Sequence, residues 1–274
     1  MKKLALLLVF GVLLSPAVCA QSIEFNVLSE VKLQTDNSVK NSKVLTPSIK
    51  TFLSTVEQIN KNGGKFNVFC GDNIHKADKY SLVMFSKILR KLKKPSYVVV
   101  GEKDVAQTKG LDKKEYYRIL NLFSKNKVKN LPYKKEIDDF VFLFVDGVNQ
   151  FIPSQFGYYK ENQLAWLEIM LEENKNKPVI IVQHYPIEAF ENISDKKLPY
   201  KKEDYQKIIS KYENIIAIIS GHHGIEAEFE KDNVNYIFMP SLNESGEYKK
   251  IKIDYDEDSK KAFVKTRIYK VLGE

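Results

Sequence analysis

The sequence predicts an α/β domain with a mixed β-sheet, and two features of the chain indicate it. Along most of its 274 residues, short apolar runs typical of buried strands alternate with segments of helical periodicity. From Ile225 to Val271, apolar and polar residues instead alternate in short stretches separated by turn residues, as in antiparallel strands. No low-complexity linker divides the chain, so residues 21–274 are predicted to form one domain.

The individual elements follow from the period of the apolar residues and from the residues that end each run. A helix is predicted after Thr46-Pro47, because apolar residues then recur at helical spacing until Asn62-Gly63-Gly64 ends the pattern. Further helices are predicted at 82–92, 116–123 and 163–173. Strands are predicted at 23–29, 66–70, 97–100, 140–145, 179–182 and 215–219.

Composition and charge narrow the classes of function. An apolar content of 43% excludes a disordered chain. The formal charge is +8, from 43 Lys and Arg against 35 Asp and Glu, but only three of the basic residues are arginines. Because arginine supplies the bidentate contacts to bases and phosphates, a scattered lysine excess favours a solvated surface. We therefore expect no nucleic-acid partner.

The N-terminal residues have the pattern of an export signal. Lys2 and Lys3 precede an apolar run from Leu4 to Leu14, and small residues precede a cleavage point after Ala20. Residues 1–20 are thus predicted to be a signal peptide, and the mature chain to be periplasmic or secreted with no membrane attachment. A lipid anchor on Cys19 is an alternative. Cleavage would leave Cys70 as the sole cysteine, which we expect to be a buried thiol.

Polar residues follow several predicted strands at the points where the strands end. The loops at the carboxyl ends of strands in open α/β sheets meet at one crevice, so these residues are expected to lie close together. Three of the four histidines fall in them, which favours a functional site, although strand ends also collect glycine and polar residues for structural reasons. The segments are Ser29-Glu30-Val31-Lys32, Gly71-Asp72-Asn73, Gly101-Glu102-Lys103-Asp104, Gln183-His184-Tyr185-Pro186 and Gly221-His222-His223-Gly224.

In their order along the chain these segments resemble the motifs of the calcineurin-like metallophosphoesterases, particularly the bacterial branch near the class III cyclic-nucleotide phosphodiesterases. The family pattern is D-x-H, then G-D, then G-N-H-D, then a histidine beside a proline, and finally G-H-x-H. The segment from Glu161 to Leu167 is similar to the family's helix that precedes the histidine beside the proline, which is His184 here. The resemblance implies a mixed-sheet α/β/β/α sandwich of the metallophosphoesterase type. It also implies phosphoester hydrolysis with two metal ions that activate water.

For the first metal ion, the family uses the D-x-H pair, the G-D aspartate and the last histidine of G-H-x-H. The residues at these positions here are Glu30, Lys32, Asp72 and Gly224, of which only Asp72 is unchanged. An ammonium group has no lone pair and glycine has no side chain, so Lys32 and Gly224 cannot be ligands. The resemblance therefore implies a degenerate first site without its metal.

For the second metal ion, the resemblance implies Asp72, Glu102, His184 and His222 as ligands. Two imidazoles and two carboxylates suit one divalent transition metal, such as Mn²⁺, Fe²⁺ or Zn²⁺. The alternative is a metal-free protein in which these side chains are ordinary hydrogen-bonded polar residues.

Two lysines are candidate catalytic residues. Lys32 replaces a family ligand of the first metal ion and would lie where that ion is bound. Lys103 replaces the family histidine that helps to bind phosphate and protonate the leaving group. Their ammonium groups could bind phosphate and stabilise the charge of the transition state. Alternatively, Lys32 only forms ion pairs with Glu30 and Asp72.

Two functions follow as hypotheses. The first is an exported phosphoesterase that hydrolyses a phosphorylated small molecule at a single-metal site. The second is a catalytically inactive pseudophosphoesterase that binds a phosphorylated ligand or a protein partner through the same crevice. The sequence does not indicate the oligomeric state.

Overall fold

A computed structural model of the chain describes residues 21–35, 45–151, 154–190, 193 and 198–271. The signal-peptide prediction for residues 1–20, including Cys19, lies outside the described residues. The described strands are β1 (Gln21–Leu28), β2 (Asn67–Cys70), β3 (Ser96–Val99), β4 (Tyr133–Ile137), β5 (Phe140–Phe144), β6 (Val179–Gln183), β7 (Ile215–Ser220), β8 (Ala227–Lys231), β9 (Val234–Phe238), β10 (Glu247–Asp256) and β11 (Lys261–Lys270). The helices are α1 (Pro47–Asn62), α2 (Lys79–Leu89), α3 (Lys113–Phe123), α4 (Glu161–Glu173), α5 (Lys202–Ile209) and α6 (Leu242–Ser245). None of these helices has the length and apolar character needed to span a lipid bilayer.

The strands form two mixed sheets. The first has five strands in the order β11-β10-β1-β2-β3, and the second has six in the order β4-β5-β6-β7-β9-β8. In the first sheet β1, β2 and β3 run parallel, while β10 and β11 add antiparallel pairs at one side. In the second sheet β5, β6, β7 and β9 run parallel, and antiparallel strands lie at both edges.

An aromatic cluster joins the two sheets. Phe25 and Phe66 of the first sheet region stack with ring centroids 4.8 Å apart, and Phe142 of β5 meets their rings edge-on at 5.4 and 5.1 Å. On the outer face of the first sheet, Phe69 contacts Phe52 of α1, and α4 and α5 cover the outer face of the second. The layers are therefore helix, sheet, sheet and helix, which confirms the predicted α/β/β/α sandwich.

Most of the predicted elements are present. Helix α1 begins where the sequence indicated, with the Thr46 hydroxyl accepting a hydrogen bond from the Ile49 amide and Pro47 in the first turn. Cys70 is a free, fully buried thiol, as predicted. Two elements were not predicted: strand β4, which contains Lys134 and Lys135, and helix α5, which begins at Lys202.

Replacing Phe142 with alanine is expected to lower the free energy of unfolding by about 3–5 kcal/mol, because it removes a fully buried ring from between the sheets. Phe263→Ala is the matched control, since its ring is 60% exposed and its loss should change stability by less than about 0.5 kcal/mol. Urea unfolding of the three proteins measures both values. Equal effects of the two substitutions would show that the inter-sheet cluster does not stabilise the fold.

Candidate metal centre

The site lies where parallel strands of both sheets end. Glu30 and Asp72 each come two residues after their strands, β1 and β2, and Glu102 comes three residues after β3. On the other sheet His184 follows β6 directly and His222 comes two residues after β7. Because the two sheets pack face to face, their carboxyl ends bring these residues to one edge of the sandwich, as the sequence predicted.

The backbone at this edge adopts conformations that L-residues seldom use. Glu30, Lys32, Asp72 and His222 have φ values of 50°, 43°, 54° and 75°. A left-handed conformation costs a residue with a Cβ atom roughly 1–2 kcal/mol. Such strain persists only where the surrounding structure enforces it, and it is concentrated at functional sites.

Two glycines make room for the side chains of the site. A Cβ atom on Gly71 would lie 2.4 Å from Nδ1 of His184, and one on Gly101 would lie 2.2 Å from Oδ1 of Asp72. Neither neighbour is the end of a flexible exposed chain, because both side chains are almost fully buried. Only glycine at these positions allows the imidazole and the carboxylate to approach the strand ends so closely.

Three of the predicted ligands form a compact group. One ligand atom each of Glu102, His184 and His222 lies within 4.8 Å of the other two. Oε2 of Glu102 is 2.8 Å from Nε2 of His184 and 3.4 Å from Nδ1 of His222. Asp72 lies beside this group, with Oδ1 3.6 Å from Nε2 of His184. The structure thus brings all four predicted ligands together.

The orientation of the buried His184 ring is set by the backbone. Its Nδ1 lies 2.7 Å from the carbonyl oxygen of Cys70. A carbonyl only accepts, so Nδ1 carries hydrogen and, in the neutral ring, the lone pair of Nε2 points toward Glu102 and Asp72. Backbone support of this kind holds a histidine in the tautomer that a metal ligand needs.

The charges of the site shift the pKa values of its members. Burial lowers the pKa of His184, but the attraction of Asp72 and the hydrogen bond with Glu102 outweigh burial and raise the pKa to about 9. Burial raises the pKa of Glu102, yet its contacts with His184 and His222 hold that pKa well below its usual range. The metal-free site is therefore an ion-paired cluster near neutral pH.

Asp104 holds the loops at this edge of the sandwich together. Its carboxylate accepts hydrogen bonds of 2.9, 2.9 and 2.8 Å from the Asn73 side chain and from the amides of Ile74 and Gly101. Burial, followed by repulsion from Asp72, raises the pKa of Asp104 to about 7. The residue thus ties the loop after β3 to the loop after β2.

The two predicted lysines, Lys32 and Lys103, form ion pairs with different acids. Nζ of Lys103 is 3.2 Å from Oδ2 of Asp72. Nζ of Lys32 is 2.6 Å from Glu30 and 2.7 Å from Glu244. Of the two ion pairs predicted for Lys32, the one with Glu30 is confirmed, whereas Glu244 is the second partner in place of Asp72.

Sequence reasoning gave no role to two residues of the site, although Tyr185 stands in one of the predicted segments. Glu244 lies in α6 after strand β9, and because β9 runs parallel to β7 its following residues reach the same edge. A parallel strand within the C-terminal region would have indicated this, but that region was expected to be antiparallel. Tyr185 was also missed; its ring centroid lies 4.8 Å from that of His184, and its hydroxyl donates to the carbonyl of Ser154.

The remaining histidines do not join the group. His75 is exposed after the loop that carries Asp72. The ring of His223 lies 4.6 Å from that of His222 and 6.1 Å from that of Phe190, but no nitrogen of His223 belongs to the ligand group. Gly224 lies against the Glu30 carboxylate, which a Cβ at this position would approach to 3.2 Å. The position where the family has its last histidine thus faces Glu30 without a side chain.

Comparison with known proteins identifies the family of the chain. A family model described as calcineurin-like phosphoesterase matches residues 46–225. A curated protein of Arcobacter nitrofigilis, "Probable glycerophosphodiester phosphodiesterase GpdQ", is 25% identical over 157 residues, or 57% of this chain and 55% of that protein. The chain therefore matches about half the length of that relative.

Solved structures show the same fold at low sequence identity. A dimetal phosphatase from Danio rerio superposes with a TM-score of 0.65 at 11% identity, covering 92% of this chain and 99% of that one. A purple acid phosphatase from yellow lupin seeds has a TM-score of 0.61 at 10% identity, covering 90% of this chain and 54% of that one. Since the family model spans well over half of the chain and the fold agrees with it, the protein belongs to the calcineurin-like phosphoesterase family.

Proposed function

We propose that this protein hydrolyses a phosphorylated small molecule at a single-metal centre held by Asp72, Glu102, His184 and His222. The observation that carries the proposal is the grouping of Glu102, His184 and His222 around one point, with Asp72 beside them. Isolated buried charges are costly, so an acidic group and two histidines kept together under backbone strain favour a binding function.

The chemistry of these residues fits one divalent ion. They offer two imidazole nitrogens and two carboxylates, a donor set suited to Zn²⁺, Mn²⁺ or Fe²⁺. Within the described part of the chain, the buried Nδ1 of His222 makes no hydrogen bond and is approached by Oε2 of Glu102 at 3.4 Å, so both atoms face the point where an ion would bind. When bound, such an ion acts as a Lewis acid and lowers the pKa of water.

The residues at the family's other metal position do not fit a second ion. Lys32 places a cation 2.6 Å from the Glu30 carboxylate, and Gly224 supplies no ligand atom. The ion pairs with Glu244 and Glu30 raise the pKa of Lys32 well above its usual value, against the effect of burial, so it stays charged. A cation in this place repels a metal ion, and this supports the proposal of a degenerate first site.

The lysines supply the positive charge that a phosphoester needs. Lys103 is 37% exposed beside Asp72, where a ligand at the metal centre can reach its ammonium group. Lys32 is 11% exposed and is paired with Glu30, whose position follows strand β1 at the same edge. We propose that both donate hydrogen bonds to phosphate oxygens and so stabilise the charge that develops during hydrolysis.

A hydrolysis assay tests the proposal. The purified chain, stripped of metal and then loaded with Mn²⁺, should release p-nitrophenol from bis-p-nitrophenyl phosphate or p-nitrophenyl phosphate. The stripped protein should show no turnover above background. Equal rates with and without metal, or none under either condition, would contradict a metal-dependent hydrolase.

The second candidate function is binding without catalysis. The ion pair between Lys32 and Glu30 favours it, because the first metal position is filled by charge compensation within the chain. A pseudophosphoesterase of this kind would bind phosphate or a phosphorylated ligand with Lys103 and Lys32 but release no product. Phosphate binding without turnover in the loaded protein would favour this function over hydrolysis.

Metal binding is expected to become tighter as the pH rises. The pKa of His184 is raised to about 9 in the metal-free protein, so its Nε2 carries a proton at pH 7. A ligand nitrogen must lose that proton before it binds a metal ion. The association constant for Mn²⁺ should therefore increase about tenfold per pH unit from pH 7 to 9 and level off above. Calorimetric titration measures it, and an affinity independent of pH would contradict the argument.

A further inference from the structure

We propose that the carboxylate of Glu244 competes with phosphate for Lys32, so that an anionic ligand must displace Glu244 before it binds the site. The inference rests on the proposed phosphate-binding role of Lys32 and Lys103. It makes Glu244 an internal competitor that weakens the binding of substrate and product alike.

The two acids that hold Lys32 differ sharply in exposure. The Glu30 side chain is 2% exposed and the Glu244 side chain is 65% exposed, although both lie within 2.7 Å of the same ammonium group. Glu30 is therefore a fixed partner on the protein side, while Glu244 covers the solvent side. A ligand that approaches Lys32 from solvent meets the Glu244 carboxylate first.

The charge of Lys103 also acts on the Glu244 carboxylate. The hydrogen bond with Lys32, followed by the charges of Lys32 and Lys103, holds the pKa of Glu244 below its usual range. Its carboxylate, 2.7 Å from Nζ of Lys32, is thus attracted by both cations that are proposed to bind phosphate. Carboxylate and phosphate oxygens accept the same hydrogen bonds from an ammonium group, so only one of them can hold each donor.

The local backbone lets the side chain leave without unfolding the loop. The amides of Leu242 and Asn243 donate to the carbonyls of Ser29 and Glu30 at 3.0 and 3.1 Å, which fixes α6 to the loop after β1. The Glu244 amide donates a hydrogen bond to the Ser241 hydroxyl. An exposed side chain on such a fixed turn changes rotamer within nanoseconds, so the exchange needs no backbone movement.

Electrostatics also favour the replacement of the Glu244 carboxylate by phosphate at Lys32. An exposed ion pair contributes little net stability, because solvent screens it and ordering the side chains costs entropy. Phosphate near neutral pH carries more negative charge than one carboxylate, and its several oxygens can accept hydrogen bonds from more than one donor. Removal of the competing carboxylate should therefore strengthen the binding of phosphate.

Titration calorimetry with inorganic phosphate, at constant ionic strength and with Mn²⁺-loaded protein, tests the inference. Glu244→Gln should bind phosphate about fivefold more tightly than the natural chain, since about 1 kcal/mol of competition is removed. The matched control is Glu172→Gln, which removes another exposed glutamate paired with a lysine at 2.6 Å, on helix α4, and should leave the affinity unchanged.

Each other result would overturn the inference. Weaker binding by Glu244→Gln would show that Glu244 positions Lys32 for the ligand, and unchanged binding would show that phosphate does not meet it. No phosphate binding in any of the three proteins would remove the anion site itself. The metal content and the hydrolysis rate are measured separately, so the proposed metal-dependent hydrolysis stands or falls on its own assay.

Discussion

Replacing His184 with alanine is expected to lower the affinity for Mn²⁺ by more than about a hundredfold and to reduce phosphoester hydrolysis to background. Loss of a residue that only supports a ligand already costs about 10–100-fold in metal affinity, and here the ligand itself is removed. The effect should be large because His184 is buried and its Nε2 lies between Asp72 and Glu102, at 3.6 and 2.8 Å. Metal titration and the p-nitrophenyl phosphate assay measure the two losses.

His75→Ala is the matched control, because His75 is an exposed histidine outside the cluster and should change neither quantity. His222→Ala provides a second test in case the cavity left by His184 destabilises the fold, and circular dichroism checks the folding of all variants. Hydrolysis that survives both His184→Ala and His222→Ala would show that catalysis occurs elsewhere or in a contaminant.

The double variant Lys32→His/Gly224→His is expected to bind a second metal ion and to hydrolyse phosphoesters about a hundredfold faster. A second ion stabilises the attacking and leaving oxygens together, and a hundredfold corresponds to ~2.7 kcal/mol of the activation barrier. A Cβ on Gly224 would lie 3.2 Å from Oε2 of Glu30, so a histidine placed there begins beside the required acid. Metal analysis and the same assay measure the gain.

The substitution at Gly224 has a cost that its control must match. Gly224 has a φ of 65° and a Cβ would come within 3.0 Å of Cβ of Ser241, so some stability will be lost. Gly110→His repeats the strain at a φ of 68°, with open space around the new side chain and no site residue nearby. A double variant that is folded as well as this control but still holds a single ion would contradict the view that Lys32 and Gly224 limit the natural protein.

The parts of the fold that the sequence predicted are those with strong local signals. The apolar run ending at Cys70 and the Thr46-Pro47 start of α1 carry their own period and punctuation, and both were correct. Strand β4 lies at a sheet edge and has three consecutive charged residues between Tyr133 and Ile137, so it lacks an apolar alternation. Helix α5 begins at Lys202, and Lys201 before it has a left-handed conformation and makes no side-chain cap. These weak local signals explain why both elements were missed.

The candidate site was predictable to the extent that it follows strand ends. The residues after five parallel strands could be placed at one edge because parallel strands share a direction, and the structure brings their acids and histidines together there. Glu244 could not be placed, because sequence periodicity does not show that β9 pairs parallel to β7. The division of the strands between two sheets depends on long-range packing, which local patterns do not report.

The number of metal ions bound per chain tests the central claim most directly. The purified chain is loaded with excess Mn²⁺ or Zn²⁺, separated from unbound ion by gel filtration, and its metal and protein contents are measured by plasma mass spectrometry and amino-acid analysis. One ion per chain, lost in His184→Ala, is the predicted result. Two ions would contradict replacement of the first site by Lys32, and none would contradict the centre formed by Asp72, Glu102, His184 and His222.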